Sequence, residues 1–316
     1  MNVSDAHRSQ PGQVVQANAP DAPPALGSGS VSGCLVVRNE EAVIERCLQS
    51  LAGVVDEIVL VHDGDCEDAT LEIAERYGAR IFVRPLVGHA ERTTVFAFEQ
   101  LRGEWIMSLD ADEFLSDPLR AGLHELVRDE RVNGYELLWR MWDGRRYITK
   151  DGPYKLALFR RASVHVLGVH HTAERVDPLV KRIELQLEHR PRYNNFTLRT
   201  VLTKWRRSAR IHAQEMITDF SELPKFNWDG PNEWSRRRLL LNRLSPLLFL
   251  PYVPVVLLLN VWNERSCTPP LRNLRMASYQ GLYAGMVQFY VAKYTYLSAG
   301  ASTAAFEPPR PGSGGA

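Results

Sequence analysis

The sequence has few cysteines and lacks the glycine-rich loops that bind nucleotides in many α/β proteins. Its four cysteines, Cys34, Cys47, Cys66 and Cys267, form no CxxC pair, so neither a disulfide framework nor a zinc site is predicted from them. There is no GxGxxG and no GxxxxGK[ST] motif, which argues against a Rossmann dinucleotide site and a P-loop. The N-terminus lacks the basic-then-apolar profile of a signal peptide, so a cytoplasmic protein is expected.

The two halves of the chain differ strongly in charge, although the net charge of the 316 residues is only +1. Residues 1–180 hold 19 Lys and Arg against 28 Asp and Glu, whereas residues 181–316 hold 19 against 9. A basic C-terminal half predicts an anionic partner, such as a phospholipid surface, a nucleic acid or a phosphorylated acceptor.

Both ends of the chain have a composition that opposes folding. Residues 1–31 are rich in Pro, Ala, Ser, Gly and Gln with few large apolar side chains, and residues 307–316 are similar. Because such segments bury too little apolar surface to offset the loss of conformational entropy, both are predicted to be disordered tails.

The first part of the folded chain alternates between short apolar runs and segments with helical periodicity. The apolar runs read as buried strands: Ser32–Val37, Glu57–Val61, Ala79–Val83 and Trp105–Leu109. Between them, apolar residues recur at spacings of three and four, which is typical of amphipathic helices. This order predicts an α/β fold with a mostly parallel, right-handed wound sheet.

Charged residues follow three of these strands at the point where each strand ends. They are Arg38 to Glu40 after the first strand, Asp63 after the second and Asp110 to Glu113 after the fourth. Because ligands bind beyond the carboxyl ends of parallel strands, one acidic pocket is expected there. Without a glycine loop to cradle phosphates, the pocket favours a divalent cation that holds them. Taken alone, a DxD motif is also compatible with ordinary loop or helix-capping residues.

The run CLVVRNEEAVIERCLQSLAGVVDEIVLVHDGDCEDATLEIAERYG, followed by GEWIMSLDADE, resembles the N-terminal half of inverting family 2 glycosyltransferases. Bacterial enzymes of the lipopolysaccharide-core type are the most similar. The resemblance covers residues 32–127 and depends on the ordered spacing of RNEE, DEIVLVHDG and LDADE. It implies a GT-A-like fold that uses a nucleoside-diphosphate sugar.

The resemblance also implies roles for individual residues. Asp112 would coordinate Mg²⁺ or Mn²⁺ bridging the diphosphate, and Asp63 would contact the nucleotide base. The further donor-binding candidates are Arg38, Asn39, Glu40, Arg92, Asp110, Ala111 and His170. The chain departs from many relatives after Asp63, where they are rich in serine, and after Arg92, where they often carry Asn. Donor contacts at these two places are the least secure part of the resemblance.

An inverting transferase needs a general base near the acceptor hydroxyl, and Gly168–Val176 offers His and Glu side chains. The dipeptide that ends at His170 matches the start of the GxVHE segment that relatives often carry. His171 replaces the Glu of that segment, and Glu174 follows three residues later. Glu174 or His171 is therefore the predicted base, with Asp151 as a rival and ordinary strand or loop residues as the other explanation.

Residues 181–306 are predicted to form a basic, helical C-terminal region that associates with a membrane. Lys181–Arg210 holds nine Lys and Arg residues with interleaved aromatics. That pattern also occurs in single-stranded nucleic-acid binding, but no nucleic acid is predicted here because the apolar segment 239–262 favours a bilayer. Three prolines interrupt 239–262, so we expect it to dip into or lie on an anionic membrane. A buried hairpin and a transmembrane span are the alternatives.

On this resemblance we predict a metal-dependent inverting glycosyltransferase of cell-envelope glycan synthesis. It would move a sugar from a nucleoside-diphosphate donor to a lipid-linked or polysaccharide acceptor, as a peripheral protein on the inner face of the plasma membrane. The domains expected are a catalytic domain over residues 32–180 and the helical region that follows. The alternatives are a nucleotidyltransferase on a similar sheet and a non-catalytic membrane protein that binds sugar nucleotides.

Overall fold

The computed structural model describes residues 15–17, 25–170, 174–192, 197–228, 240, 244, 247, 253–259, 261–262 and 270–297. The strands are β1 (Val15–Ala17), β2 (Val31–Val37), β3 (Glu57–Asp63), β4 (Arg80–Arg84), β5 (Trp105–Leu109), β6 (Glu113–Leu115), β7 (Gly134–Leu138), β8 (Tyr154–Arg160), β9 (Val164–Leu167), β10 (Arg175–Val176), β11 (Val180–His189) and β12 (Lys225–Phe226). The helices are α1 (Ile44–Leu51), α2 (Thr70–Arg76), α3 (Ala90–Gln100), α4 (Asp117–Leu126), α5 (Leu198–Thr200), α6 (Arg206–Ile217) and α7 (Pro270–Ala292). A π-helical turn, Val201–Trp205, joins α5 to α6.

Within the described residues, nine strands form one sheet in the order β1-β4-β3-β2-β5-β8-β7-β11-β6. The strands β4, β3, β2 and β5 are parallel to one another, as the alternation of strands and helices predicted. Beyond β5 the sheet is mixed, because β8 runs antiparallel to both of its neighbours. The predicted α/β fold with a wound parallel sheet is confirmed. A small antiparallel sheet contains β10, β9 and β12.

The middle positions of the parallel strands are apolar because helices cover both faces of the sheet. Leu35 and Met107 belong to the apolar cluster that includes residues of α1 and α4. Their chain neighbours Cys34 and Ile106 belong to the opposite cluster, with residues of α3. Each large side chain buried in this way contributes roughly 1.5–3 kcal/mol. The two layers hold the carboxyl ends of β2 and β5 side by side.

Part of the N-terminal stretch 1–31, predicted to be disordered, is ordered in the structure. Val15–Ala17 pairs antiparallel with β4. Closer to β2 in the chain, the Leu26 N–H donates to the Arg102 carbonyl at 3.2 Å, and the Gly29 N–H donates to a Glu104 carboxylate oxygen at 2.7 Å. Hydrogen bonds donated by backbone N–H groups hold residues 26 and 29, and the composition of a segment does not reveal such bonds. The other predicted tail, 307–316, lies outside the described residues.

The domain boundary predicted at residue 180 falls inside the main sheet. The strand β11 pairs in parallel with β7 and antiparallel with β6, although residues 181–189 were expected in a helical region. Of the strand's ten residues only Leu187 is fully buried, so its apolar alternation is too weak to mark it in the sequence. The helices expected further along are present as α6 and α7, which pack through one apolar cluster.

Half of the apolar segment 239–262 lies outside the described residues. Its residues 253–259 are helical and lie against α7, where a Cβ added to Gly281 would come 3.0 Å from the Val253 carbonyl oxygen. Among the residues that the structure describes, no helix combines the length and the apolar character needed to cross a membrane.

Candidate functional site

A cavity of about 400 Å³ lies beyond the carboxyl ends of β2 and β5. Five of the predicted donor and cation residues line it: Arg38, Glu40, Asp110, Ala111 and Asp112. The other lining residues were not predicted: Val36, Val37, Trp139, Met141, Trp142, His189, Pro191 and Lys204. The tips of β2 and β5 therefore meet at one site, whereas Asp63 at the tip of β3 does not line it, and elements from later in the chain complete its wall.

Lys155 of β8 forms ion pairs with two of the three carboxylates that follow β5. Its Nζ lies 3.0 Å from Asp110 Oδ2 and 2.7 Å from Glu113 Oε2. Trp139 Nε1 also donates to Glu113 Oε1 at 2.6 Å, and Glu113 is fully buried. The charge of Lys155 lowers the pKa of Asp110 below its ordinary value. Asp110 and Glu113 are thus tied to a lysine.

Asp112 has a weaker partner than its two acidic neighbours. Its Oδ2 lies 3.7 Å from Nε2 of His189, which ends β11 and stacks on Trp139 with 4.2 Å between ring centroids. Burial, reinforced by Asp110, raises the pKa of Asp112 to about 6. Burial lowers the pKa of His189 to about 4. At neutral pH a carboxylate therefore faces a neutral imidazole, the protonation states in which both groups bind metal ions.

Two cationic side chains, Arg38 and Lys204, lie on the wall of the same cavity. Lys204 belongs to the π-helical turn between α5 and α6, and such turns occur frequently at functional sites. Burial and Asp112 raise the pKa of Glu40 to about 7, and the charge of Lys204 opposes this rise. The lysine is therefore close enough to act on the acidic side chains of the cavity.

Asn39 shapes the tip of β2 without lining the cavity. Its φ of 52° lies in the left-handed region, which Asn tolerates better than most residues. The Asn39 N–H lies 3.2 Å from His62 Nε2, and its side-chain oxygen accepts the Glu67 N–H at 3.0 Å. The turn is thus held on both sides while its neighbours, Arg38 and Glu40, reach the cavity.

Asp63 and Arg92, both predicted to contact the donor, have other partners and do not line this cavity. Asp63 is 4% exposed, and its two carboxylate oxygens accept the N–H groups of Val87 and Gly88 at 2.8 and 2.7 Å. Arg92 Nε lies 3.0 Å from Glu215 Oε1. The buried carboxylates of Asp63 and Glu215 are costly to leave unpaired. Asp63 therefore lies against the backbone N–H groups, and Arg92 lies against Glu215.

Two candidate residues of the predicted base segment, Glu174 and His170, are described by the structure, and they have different surroundings. Glu174 is partly buried, and burial raises its pKa, while Lys155 and Asp110 are near enough for their charges to act on it in opposite directions. His170 contacts Glu91 instead of the cavity, with 3.0 Å between Nδ1 and Oε2. His171 lies outside the described residues. The rival base Asp151 is exposed.

Known proteins resemble this chain in its N-terminal half. Residues 32–172 match the family described as glycosyl transferase family 2. An uncharacterized glycosyltransferase of Rickettsia felis is 37% identical over 105 residues, which cover 33% of this chain and 36% of that protein. The lipopolysaccharide core biosynthesis glycosyltransferase LpsC of Rhizobium meliloti is 34% identical over 102 residues, covering 31% and 37%. The chain thus spans little more than a third of the length of the curated relatives it matches.

Solved structures resemble the chain at low identity and with low TM-scores. The S. aureus protein TarS in complex with UDP-GlcNAc is 16% identical, with a TM-score of 0.41, and the match covers 84% of this chain and 91% of that chain. Glucosyl-3-phosphoglycerate synthase from Mycobacterium tuberculosis is 17% identical with a TM-score of 0.41, covering 59% and 78%.

Proposed function

We propose that this chain, which carries a glycosyl transferase family 2 domain, moves a sugar from a nucleoside-diphosphate donor to a lipid-linked or polysaccharide acceptor. The observation that carries the proposal is that the Asp112 and His189 pair shares one cavity with the cationic side chains Arg38 and Lys204. The first pair suits a divalent cation, and the second suits a diphosphate. The name of the Rhizobium relative supports a place in cell-envelope glycan synthesis.

The donor atoms of the site fit a divalent cation. Two ligands about 2.1 Å from one ion lie at most about 4.2 Å apart, and the Asp112 and His189 atoms are 3.7 Å apart. A carboxylate with an imidazole suits Mn²⁺ better than Mg²⁺, which prefers oxygen ligands and retains its waters. When bound, the cation supplies positive charge beside the diphosphate leaving group.

The residues of the chain account for the rest of the proposed reaction. Arg38 and Lys204 bind the diphosphate and stabilise the negative charge that grows on it as the bond to the sugar breaks. Lys155 forms ion pairs with Asp110 and Glu113. Its positive charge reduces the repulsion between the tip of β5 and the anionic donor. The flat rings of Trp139 and Trp142 offer apolar surface to the sugar or the base.

In this mechanism the acceptor hydroxyl oxygen attacks the anomeric carbon on the face opposite the diphosphate, which inverts the configuration. One carbon–oxygen bond forms as the other breaks, and the hydroxyl proton passes to a base of the chain. We assign this role to Glu174, with His171 as the alternative. A carboxyl whose pKa is raised by burial holds a transferred proton better than an exposed one.

We also propose that the protein binds peripherally at the inner face of the plasma membrane. Large apolar side chains stand on the described surface of its C-terminal part, with exposed fractions of 39% to 65%: Val255, Leu258, Leu259, Trp262, Leu274, Leu282 and Phe289. Together with the excess of Lys and Arg after residue 180, this surface suits an anionic bilayer. Flotation with vesicles tests it. We expect binding to vesicles that contain an anionic lipid and less binding to neutral vesicles, and equal failure with both would contradict the proposal.

The activity is tested by release of nucleoside diphosphate from a panel of sugar nucleotides, with Mn²⁺, with Mg²⁺ and with chelator. We expect release for one donor class that chelator abolishes, and nuclear magnetic resonance of the product should show an inverted anomeric centre. A family member that only senses sugar nucleotides would bind a donor and release nothing with any acceptor. Absence of both binding and release for every donor would contradict the assignment of the cavity.

A further inference from the structure

A second group of metal-binding side chains lies outside the donor cavity, where α3, α6 and the loop after β9 meet. His89 Nδ1 lies 3.1 Å from Glu91 Oε2, and His170 Nδ1 lies 3.0 Å from the same oxygen. The ligand atoms of these three residues all lie within 4.8 Å of one another. The side chains are 2%, 23% and 12% exposed, respectively.

Glu215 of α6 holds the far side of this group. Its Oε1 lies 2.8 Å from His89 Nε2 and 3.0 Å from Arg92 Nε. Its Oε2 accepts a hydrogen bond from the backbone N–H of His170 at 2.7 Å. The carboxylate therefore decides which nitrogen of His89 is directed towards Glu91. Histidines that bind metal ions are oriented in this way, with one nitrogen on the ion and the other donating to a carboxylate.

Close backbone packing brings the third ligand into place. A Cβ added to Gly168 would lie 2.6 Å from Pro224 Cγ and 3.2 Å from Arg92 Cα, so the absence of a side chain lets the loop after β9 approach α3. The rings of His89 and His170 then meet edge to face, with 5.1 Å between their centroids. The three ligands come from sequence positions up to 81 residues apart, and the fold converges them on one point.

We propose that His89, Glu91 and His170 form a second divalent-metal site, specific for Zn²⁺ over Mg²⁺, with Nδ1, Oε2 and Nδ1 as the ligand atoms. Two imidazole nitrogens and one carboxylate oxygen are donors that Zn²⁺ takes in proteins, whereas Mg²⁺ prefers oxygen. Binding displaces the protons that the imidazoles share with Glu91. The site shares no residue with the Asp112 and His189 pair, and it ties the loop after β9 to the N-terminal end of α3.

The test is metal content and a spectroscopic signature, neither of which depends on catalytic activity. Purified protein is stripped with chelator, loaded with equimolar Zn²⁺, dialysed and measured by mass spectrometry. Parallel samples are loaded with Co²⁺, whose visible absorption reports nitrogen and oxygen ligands. We expect one Zn²⁺ per chain in the wild type, in Asp112→Asn and in the control His124→Ala, an exposed histidine of α4.

The variants Glu91→Gln and His170→Ala, each made in the Asp112→Asn background to weaken the first site, should lose both the Zn²⁺ and the Co²⁺ absorption, and Glu215→Gln should weaken the affinity about 10- to 100-fold. If His170→Ala fails to fold, Glu91→Gln decides, because it keeps the shape of the side chain. The proposal is overturned if the wild type retains no Zn²⁺, or if Glu91→Gln binds as the wild type does. In that case, the group is a hydrogen-bonded cluster alone.

Discussion

The two ends of the parallel strands carry carboxylates under opposite conditions. At the amino ends, Glu57 of β3 has a side chain only 4% exposed, and it pairs with Arg80 Nη1 at 2.8 Å and Arg102 Nε at 2.9 Å. At the carboxyl ends, Asp112 has a side chain 26% exposed and lies 3.7 Å from a neutral His189. One sheet therefore holds a well-paired acid at the amino ends of its strands and a poorly paired acid beyond their carboxyl ends.

Their pKa values show what this difference means. Burial by itself would raise the pKa of Glu57, but hydrogen bonds from Ser32, Arg102 and Arg80 outweigh it and lower the pKa. At Asp112 burial is not offset in this way, and the pKa rises to about 6. The fold satisfies the charge that holds its strands together. Asp112, which we propose for ligand binding, is less well paired. Groups whose pKa is perturbed in this way are typical of functional sites.

The largest effect is expected for Asp112→Asn. Loss of the charged ligand should lower donor-dependent release of nucleoside diphosphate roughly 100- to 1000-fold, in line with removal of one transition-state stabilising group. The melting temperature should stay the same or rise, because a poorly paired buried charge is removed. Asp117→Asn, an exposed acid on α4, is the matched control. Equal activity in both variants would remove Asp112 from the proposed site.

Glu57→Gln should act on stability and leave the site intact. Loss of a buried charge that two arginines contact should lower the free energy of unfolding by about 2–4 kcal/mol, measured by urea denaturation. Glu45→Gln is the control, since the Glu45 and Arg76 side chains are 57% and 59% exposed and such pairs contribute little. Donor binding by the folded fraction should be unchanged. A similar loss in both variants would show that burial does not distinguish the pairs.

Lys204→Ala should weaken donor binding without changing stability. Loss of one charge-assisted contact to a diphosphate corresponds to about 1.5–3 kcal/mol, or roughly 10- to 100-fold in KM for the donor. Lys204→Arg should recover most of the loss, because Arg also binds phosphate. The control is Lys150→Ala, an exposed lysine that does not line the cavity. An unchanged KM would remove Lys204 from the proposed donor site.

The smallest expected effect is that of pH, and it separates the two acids. A cation competes with the proton on Asp112, so donor binding with Mn²⁺ should weaken as the pH falls through about 6, up to about tenfold per pH unit. The pKa of Glu57 is lower in the folded state than in the unfolded one. Its stabilisation is therefore complete above the unfolded pKa and is lost only as the pH falls below it. Calorimetry and urea denaturation near pH 7 and near pH 5 should thus show weaker binding by a protein that is still folded. If donor binding and folding stability are lost over the same pH range, Asp112 and Glu57 do not differ in the way we propose.

Much of the fold and one part of the site were predictable from local patterns. The apolar runs and the helical spacings between them predicted β2 to β5 with their helices, because a buried parallel strand and an amphipathic helix have different periods. Arg38, Asp110 and Asp112 could be found because they follow such strands directly in the chain. His189 also ends a strand, but β11 buries only one of its ten residues, so the strand itself had no clear pattern.

The sequence by itself thus determined the wound sheet, the strand ends at which we propose that ligands bind and the acids carried there, since each depends on neighbours in the chain. Only the tertiary structure decided which acid is paired. Lys155 reaches Asp110 across 45 residues of sequence, and His189 and Lys204 arrive from the segment first interpreted as a basic surface. It also gave Asp63 and Arg92 partners outside the cavity and gathered His89, Glu91 and His170. Such contacts depend on burial and on long-range packing, which no local period records.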